Sequence, residues 1–178
     1  GGARGVVSTP RMTPVETARV FFECRGNRIQ YPGIDELLQL SNETFSRFQK
    51  SGVDDWDERV RRLREADLQN DAYRYVPDVR LTSQGGGLYR MVVDILIPKP
   101  GELGELAREI ESDKDCAYRR RLQEVDPAKQ HVVFLVRDDS FEVFQTARRL
   151  AVQTGLRVGW EPIGRADHKA KKYVERNM

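Results

Sequence analysis

Residues 131–163 read HVVFLVRDDSFEVFQTARRLAVQTGLRVGWEPI, and they predict a strand, a helix and a second strand. His131 to Val136 is a short run of β-branched, apolar and aromatic residues, which is typical of a buried strand. Gly155 stands where the end of a helix favours a residue that tolerates positive φ, and Leu156 to Trp160 follows as the second strand. A strand that returns through a helix pairs in parallel through a right-handed crossover.

Two patterns predict the helix of this unit. Asp139 precedes Glu142 by three residues, which is the spacing of a capping box, where two side chains satisfy amides of the first helical turn. Apolar residues then recur at three- and four-residue spacing, as in a helix with one buried face. These residues are Phe141, Phe144, Ala147, Leu150 and Ala151.

The first half of the chain predicts a hairpin and helical segments. Residues 19–24, RVFFEC, form a strand, and residues 29–31 form a short returning strand that Pro32 and Gly33 end. Residues 34–48 have helical spacing, although Ser41-Asn42 could divide them into two short helices.

A second hairpin is predicted around Gly85-Gly86-Gly87, between the strand-like runs 79–82 and 88–97. The odd-numbered residues of the longer run, from Tyr89 to Ile97, are apolar, so we expect the odd-numbered face to pack on the core. Short amphipathic helices follow near residues 103–110 and 118–125.

These elements predict an α+β fold in which helices pack on a mixed sheet. A length of 178 residues suits a single domain. We place that domain at residues 17–163. Residues 1–16 mix Gly, Pro, Ser, Thr and Arg without periodicity and are predicted to be a flexible leader or linker, and residues 164–178 are predicted to be a basic tail.

The composition gives no strong indication of a partner. Thirty basic and 28 acidic residues leave a net charge of +2, which supplies no broad positive field for polyanions, so nucleic acid is not a required partner. No apolar run approaches the roughly 20 residues that span a bilayer, and no signal-peptide pattern is present. The chain starts Gly-Gly-Ala-Arg-Gly without an initiator Met, so we expect a segment upstream to be missing.

Cys24 and Cys116 are the two cysteines of the chain. They have neither CxxC spacing nor nearby histidines, so they do not indicate a metal site. They could be buried thiols or, in an oxidising compartment, one disulfide, and the spacing does not decide between these.

Four residues are candidates for binding a partner. Asp138 and Asp139 follow a strand of the predicted parallel pair, at the edge where open α/β sheets often place ligands. Capping of the following helix accounts for them without any ligand, and this is the interpretation that we favour. Trp160 and Glu161 lie on the last strand, where a tryptophan could anchor a partner or could cover the core.

The sequence predicts no catalytic, cofactor or metal site, and we expect the protein not to be an enzyme. Asp78 and Asp94 faintly resemble the acidic pair of metal-dependent nucleases, but Leu96 occupies the position of their lysine. Ser140 and the two cysteines lack the sequence signature of an activating base. The glycine run is followed by a strand without a Lys-Ser or Lys-Thr pair, so it is not a phosphate loop.

Two segments resemble the periplasmic domain of the ExbD/TolR biopolymer-transport family. Residues 132–138, VVFLVRD, the helix that ends at Thr154-Gly155 and the strand 156–160, LRVGW, are similar to the C-terminal half of that domain. Residues 20–27, VFFECRGN, with residues 29–31, look like its opening hairpin. Together these motifs cover about a third of the chain, and most of them are patterns of residue class.

The resemblance implies a non-catalytic periplasmic domain tethered by a membrane helix that this sequence lacks. It further implies work beside a proton-driven motor subunit, contact with envelope proteins or peptidoglycan, and possible homodimers. Residues 34–125 are longer than the middle of that domain and are interpreted as an inserted helical and hairpin region. The family's membrane helix with its functional aspartate is absent, so no proton pathway is assigned.

Two other hypotheses remain open from the sequence. One is a cytosolic domain that handles nucleic acid or nucleotides through the basic tail and the acidic strand end. The other is a hydrolase whose site assembles from residues distant in sequence.

Overall fold

A computed structural model of the chain describes residues 17–164, apart from the side chains of Thr82 and Gln84. The predicted leader lies outside the described residues. So does the predicted basic tail, except for Gly164.

The described chain contains five helices and seven strands. The helices are α1 (Ile34–Lys50), α2 (Trp56–Glu65), α3 (Ala107–Ser112), α4 (Ala117–Gln123) and α5 (Phe141–Gln153). The strands are β1 (Ala18–Arg25), β2 (Arg28–Gln30), β3 (Tyr73–Gln84), β4 (Gly87–Pro98), β5 (Glu105–Leu106), β6 (Gln130–Arg137) and β7 (Val158–Ile163). The helix α1 is continuous through Ser41, whose hydroxyl donates to the Leu38 carbonyl of the same helix at 2.7 Å.

Five strands form one mixed sheet in the order β5-β2-β1-β6-β7. β1 pairs antiparallel with β2 and in parallel with β6. β6 and β7 also pair in parallel, so the predicted strand, helix and strand unit is confirmed. β3 and β4 form a separate antiparallel hairpin, as predicted for the glycine-rich region. The fold is α+β, and the short edge strand β5 is an addition that the sequence does not predict.

Apolar side chains are buried on both faces of the five-stranded sheet. On one face, which we call the α5 face, Phe22 and Phe134 pack with residues of α3, α4 and α5. On the other, which we call the hairpin face, Phe21 and Leu135 pack with residues of α1, α2 and the β3-β4 hairpin. Strands that are covered on both faces have no solvent side, which explains the nearly continuous apolar runs of β1 and β6.

The predicted buried stripe of α5 needs one correction. Phe144, Ala147, Leu150 and Ala151 are buried as expected, but Phe141 is 53% exposed and Val143 is fully buried instead. At about 100° per residue, Phe141 lies roughly 120° from the centre of the stripe that includes Val143. Its ring therefore reaches the rim of the core.

The predicted core face of β4 is also wrong. Both faces are buried midway along the strand, but the most buried positions include the even-numbered Asp94 and Leu96, which are 1% and 0% exposed. The odd-numbered Tyr89 and Ile97 are exposed at its two ends. The alternation is misleading because an aspartate is usually exposed to solvent. Asp94 is instead buried and accepts a hydrogen bond from the Tyr75 hydroxyl.

Candidate partner-binding surface

Strand β7 lies at one edge of the sheet and carries a half-exposed tryptophan. The Trp160 ring packs against Phe144, with centroids 5.5 Å apart, and against Phe141 at 6.3 Å. Trp160 and Phe141 are 48% and 53% exposed, whereas Phe144 is buried. We call these three rings the aromatic patch. One of them is fixed in the core and the other two face solvent, which is how aromatic anchors are presented at protein interfaces.

The backbone of β7 limits what can pair with its outer edge. The amide of Val132 donates to the carbonyl of Arg157, so the odd-numbered residues of β7 bond to β6 and the even-numbered ones point outward. Pro162 is an outward position and has no N–H to donate. Within β7, the outward amides are therefore those of Val158 and Trp160. An extended partner could pair only over a short stretch, beside the aromatic patch.

Glu161 does not join Trp160, because successive residues of a strand point to opposite faces. It lies on the hairpin face, where its Oε1 is 3.9 Å from Nη1 of Arg19, and both side chains are more than half exposed. An exposed ion pair of this length contributes between 0 and about 1 kcal/mol.

Asp138 and Asp139 follow β6 at the carboxyl edge of the sheet, and both are exposed. Asp139 accepts hydrogen bonds from the amide of Gly26, at 3.2 Å, and from the hydroxyl of Ser140, at 2.7 Å. Its carboxylate therefore fastens the β1-β2 turn to the start of α5. This use differs from a cap of the helix, and the candidate role of Asp138 and Asp139 in partner binding stays a prediction.

The predicted capping box of α5 is wrong. The helix begins after Ser140, whose side chain makes no hydrogen bond to the first turn. The amide of Val143 instead donates to Oδ1 of Asn27, at 3.1 Å, and Nδ2 of Asn27 donates to Glu142 at 3.2 Å. Since β1 and β6 are parallel neighbours, their carboxyl ends meet, and this brings the β1-β2 turn to the helix end.

Replacing Asn27 with alanine should lower the free energy of unfolding by about 2 kcal/mol, because both the cap and a residue that tolerates positive φ are lost. Asn27 has a φ of 54°. The Asn27→Gly variant keeps the backbone freedom and loses only the side-chain bonds, so it should cost less. Urea unfolding of both variants measures the two effects, and an Asn27→Ala variant as stable as the wild type would contradict this capping arrangement.

A cluster of buried charges lies at the same edge, on the hairpin face. Glu23 is fully buried, and its Oε1 is 3.1 Å from Nε of Arg25 and 3.7 Å from Nε of Arg137. The side chains of Arg25 and Arg137 are 18% and 11% exposed. Neither carboxylate oxygen of Glu23 has a hydrogen-bond partner in the described part of the chain. We call these three residues the charge cluster.

Burial raises the pKa of Glu23, and this outweighs the two guanidinium groups, which lower it. The sequence does carry a signal of the cluster, because Glu23 interrupts an apolar strand that is buried on both sides. The role of Glu23 is structural, since its carboxylate is fully buried and lies beside the guanidinium groups of Arg25 and Arg137. It is therefore no candidate for a general acid or base.

The two cysteines are free and buried on the α5 face. Burial raises the pKa of Cys24 to about 12 and also raises the pKa of Cys116. Because the thiolate is the reactive form, Cys24 of the folded protein should react with a disulfide reagent at pH 8 more than about a hundredfold slower than after denaturation in urea. The measurement is a count of labelled thiols over time. Rapid labelling of two thiols in the native protein would show that these sites open.

The described residues hold no group of three or more His, Cys, Asp or Glu side chains placed to bind a metal ion. Between Thr17 and Gly164, each helix is too short or too polar to cross a bilayer. Comparisons of the chain with protein-family models, with curated proteins and with solved structures find no match. The fold therefore defines the protein as an α+β domain, and its partner-binding surface is the guide to its function.

Proposed function

We propose that the protein is a non-catalytic domain of the cell envelope, similar to the periplasmic part of ExbD/TolR-type proteins, which binds protein or cell-wall partners beside a proton-driven membrane motor. One arrangement supports this proposal. The segments that carry the resemblance, β1-β2 and β6-α5-β7, adjoin in one sheet through the pairing of β1 with β6.

The observation that carries the proposal is the aromatic patch on edge strand β7. Two half-exposed rings, Trp160 and Phe141, stand on a rigid base that includes the buried Phe144. Burying such rings against a partner removes a large apolar area at little cost in side-chain entropy, because aromatic side chains have few rotatable bonds. The patch is therefore the part of the surface that we assign to a partner.

The envelope location is tested on the parent gene. Upstream of Gly1 we expect a single apolar span of about 20 residues, followed by translocation of the domain across the membrane. The direct measurement is protease protection of the full-length protein in intact cells and in spheroplasts. A full-length protein without a span or an export signal would overturn the envelope assignment.

Partner binding is tested with two probes, namely isolated peptidoglycan sacculi in co-sedimentation and the co-expressed motor subunit in cross-linking. A Trp160→Ala, Phe141→Ala double variant should bind about thirtyfold more weakly, which is typical of the loss of an aromatic anchor. Val152→Ala is the matched control, since Val152 is 52% exposed on the same helix but lies about three helical turns from Phe141. Wild-type binding by the double variant would exclude the patch, and failure of both probes to bind would exclude the function.

A further inference from the structure

A cavity of about 430 Å³ lies on the α5 face, toward the opposite edge of the sheet from β7. It is bounded by β2, by the segment that contains Gly104 and Glu105, and by α4. Its buried lining is apolar and consists of Phe22, Ile29 and Tyr118. The volume is within the range of roughly 300 to 1,000 Å³ that small-molecule sites have.

The walls of this cavity are held in place without a ligand. The Tyr118 ring meets the Phe22 ring edge-on, with centroids 5.0 Å apart, and the Tyr118 hydroxyl donates to the carbonyl of Ala147 at 2.6 Å. The Glu105 carboxylate accepts from the amides of Ala117, at 3.0 Å, and of Tyr118, at 2.7 Å. The free amides at the start of α4 therefore already have hydrogen-bond acceptors, and the Glu105 carboxylate is directed toward them.

Two arginines lie at the mouth of the cavity. Arg121 places its guanidinium group 3.8 Å from the centroid of the Tyr31 ring, and the exposed Arg120 lies beside it in α4. Glu124 is 3.5 Å from Arg121, but this contact is exposed, so it neutralises the arginine weakly. An apolar floor below two arginines favours a ligand that is apolar at one end and anionic at the other.

We propose that this cavity binds a flat apolar group that carries a carboxylate. The ring would lie against Phe22 and Tyr118, and the carboxylate would accept hydrogen bonds from Arg120 and Arg121. Both a free aryl carboxylate and the C-terminal aromatic residue of a peptide have this chemistry. The proposal is independent of the surface on β7 and of the envelope function.

The test is a calorimetric titration of the full chain with 2-naphthoate and with N-acetylphenylalanine, and with their neutral amides as matched probes. We expect one site per chain that binds at least one of the acids with a dissociation constant of about 1 mM or tighter. Saturation by 2-naphthoate alone indicates a free aryl carboxylate, whereas saturation by N-acetylphenylalanine indicates a peptide terminus. Binding of neither acid, or equal binding of an acid and its amide, would overturn the proposal.

Three variants test whether the ligand occupies this cavity. An Arg120→Gln, Arg121→Gln double variant should bind the acid at least about tenfold more weakly, because charged hydrogen bonds to the carboxylate are lost. Arg148→Gln on α5 removes one positive charge from an exposed position outside the cavity lining, so it should leave binding unchanged. Ala117→Trp fills the cavity and should abolish binding, with the fold checked by thermal unfolding. Equal affinity of the double variant and of Arg148→Gln would show that the arginines at the mouth do not hold the ligand.

Discussion

Replacing Gly104 with alanine should lower the free energy of unfolding by roughly 3 kcal/mol. Gly104 has a φ of +98°, and a Cβ atom there would lie 2.2 Å from the carbonyl oxygen of Ile29 and 2.7 Å from its carbonyl carbon. Both are backbone atoms of β2, which is paired with β1 on one side and with β5 on the other. The overlap cannot be relieved by a side-chain rotation, so the loop would have to leave the sheet.

Gly101→Ala is the matched control for this variant. Gly101 also has a positive φ, of +137°, but a Cβ atom there would meet no atom within 4 Å. It therefore measures the conformational cost alone, which is of the order of 1 kcal/mol. Urea unfolding should place Gly104→Ala clearly below Gly101→Ala. Equal stabilities would mean that the close approach to Ile29 does not constrain the fold.

Removing the carboxylate of the charge cluster should have an effect of similar size. Glu23→Ala removes the counter-charge of the largely buried Arg25 and Arg137, and breaking a buried ion pair from one side costs about 3 to 5 kcal/mol. The Arg137→Met variant should cost less, since Arg25 still compensates Glu23 at 3.1 Å. Urea unfolding at pH 7 measures both. A Glu23→Ala variant no less stable than Arg137→Met would show that the arginines do not need their counter-charge.

The stability contributed by Glu23 should also depend on pH in a specific direction. Its pKa is raised in the folded protein by burial, so the folded state holds the proton more tightly than the unfolded chain does. The part of the stability that comes from this tighter proton binding is thus fully present below the unfolded pKa of about 4.3 and is lost as the pH rises through the folded value. Measured against Glu23→Gln, which does not titrate, the stability of the wild type should fall over this interval. A relative rise would show that the arginines outweigh burial.

Local patterns were sufficient to predict β6, α5 and β7. Alternation and β-branching mark the strands, and three- and four-residue spacing marks the helix, because each pattern reflects how neighbouring residues share a face. The first hairpin could be predicted in the same way, from a strand, a turn and a proline stop. The envelope function, the homodimer and the division into a domain with an insertion at residues 34–125 remain predictions.

The candidate site was only partly accessible to the same reasoning. Trp160 could be singled out because it stands at the end of the predicted strand Leu156 to Trp160, but its contact with Phe141 depends on how α5 packs on β7. Asp139 has the correct spacing for a cap, yet Asn27, more than a hundred residues away in sequence, takes that role. Sequence spacing does not record which loop lies next to a helix end.

The amino-acid sequence by itself determined the elements of this protein and the parallel strand, helix and strand unit, since period and turn chemistry are properties of adjacent residues. Only the tertiary structure decided which of these elements pack side by side and which side chains meet between them. It placed β1 beside β6, and this one pairing created the shared cap at Asn27 and the burial of Glu23 between two arginines. It also enclosed the cavity below Arg120 and Arg121, because the residues that line it come from segments far apart along the chain.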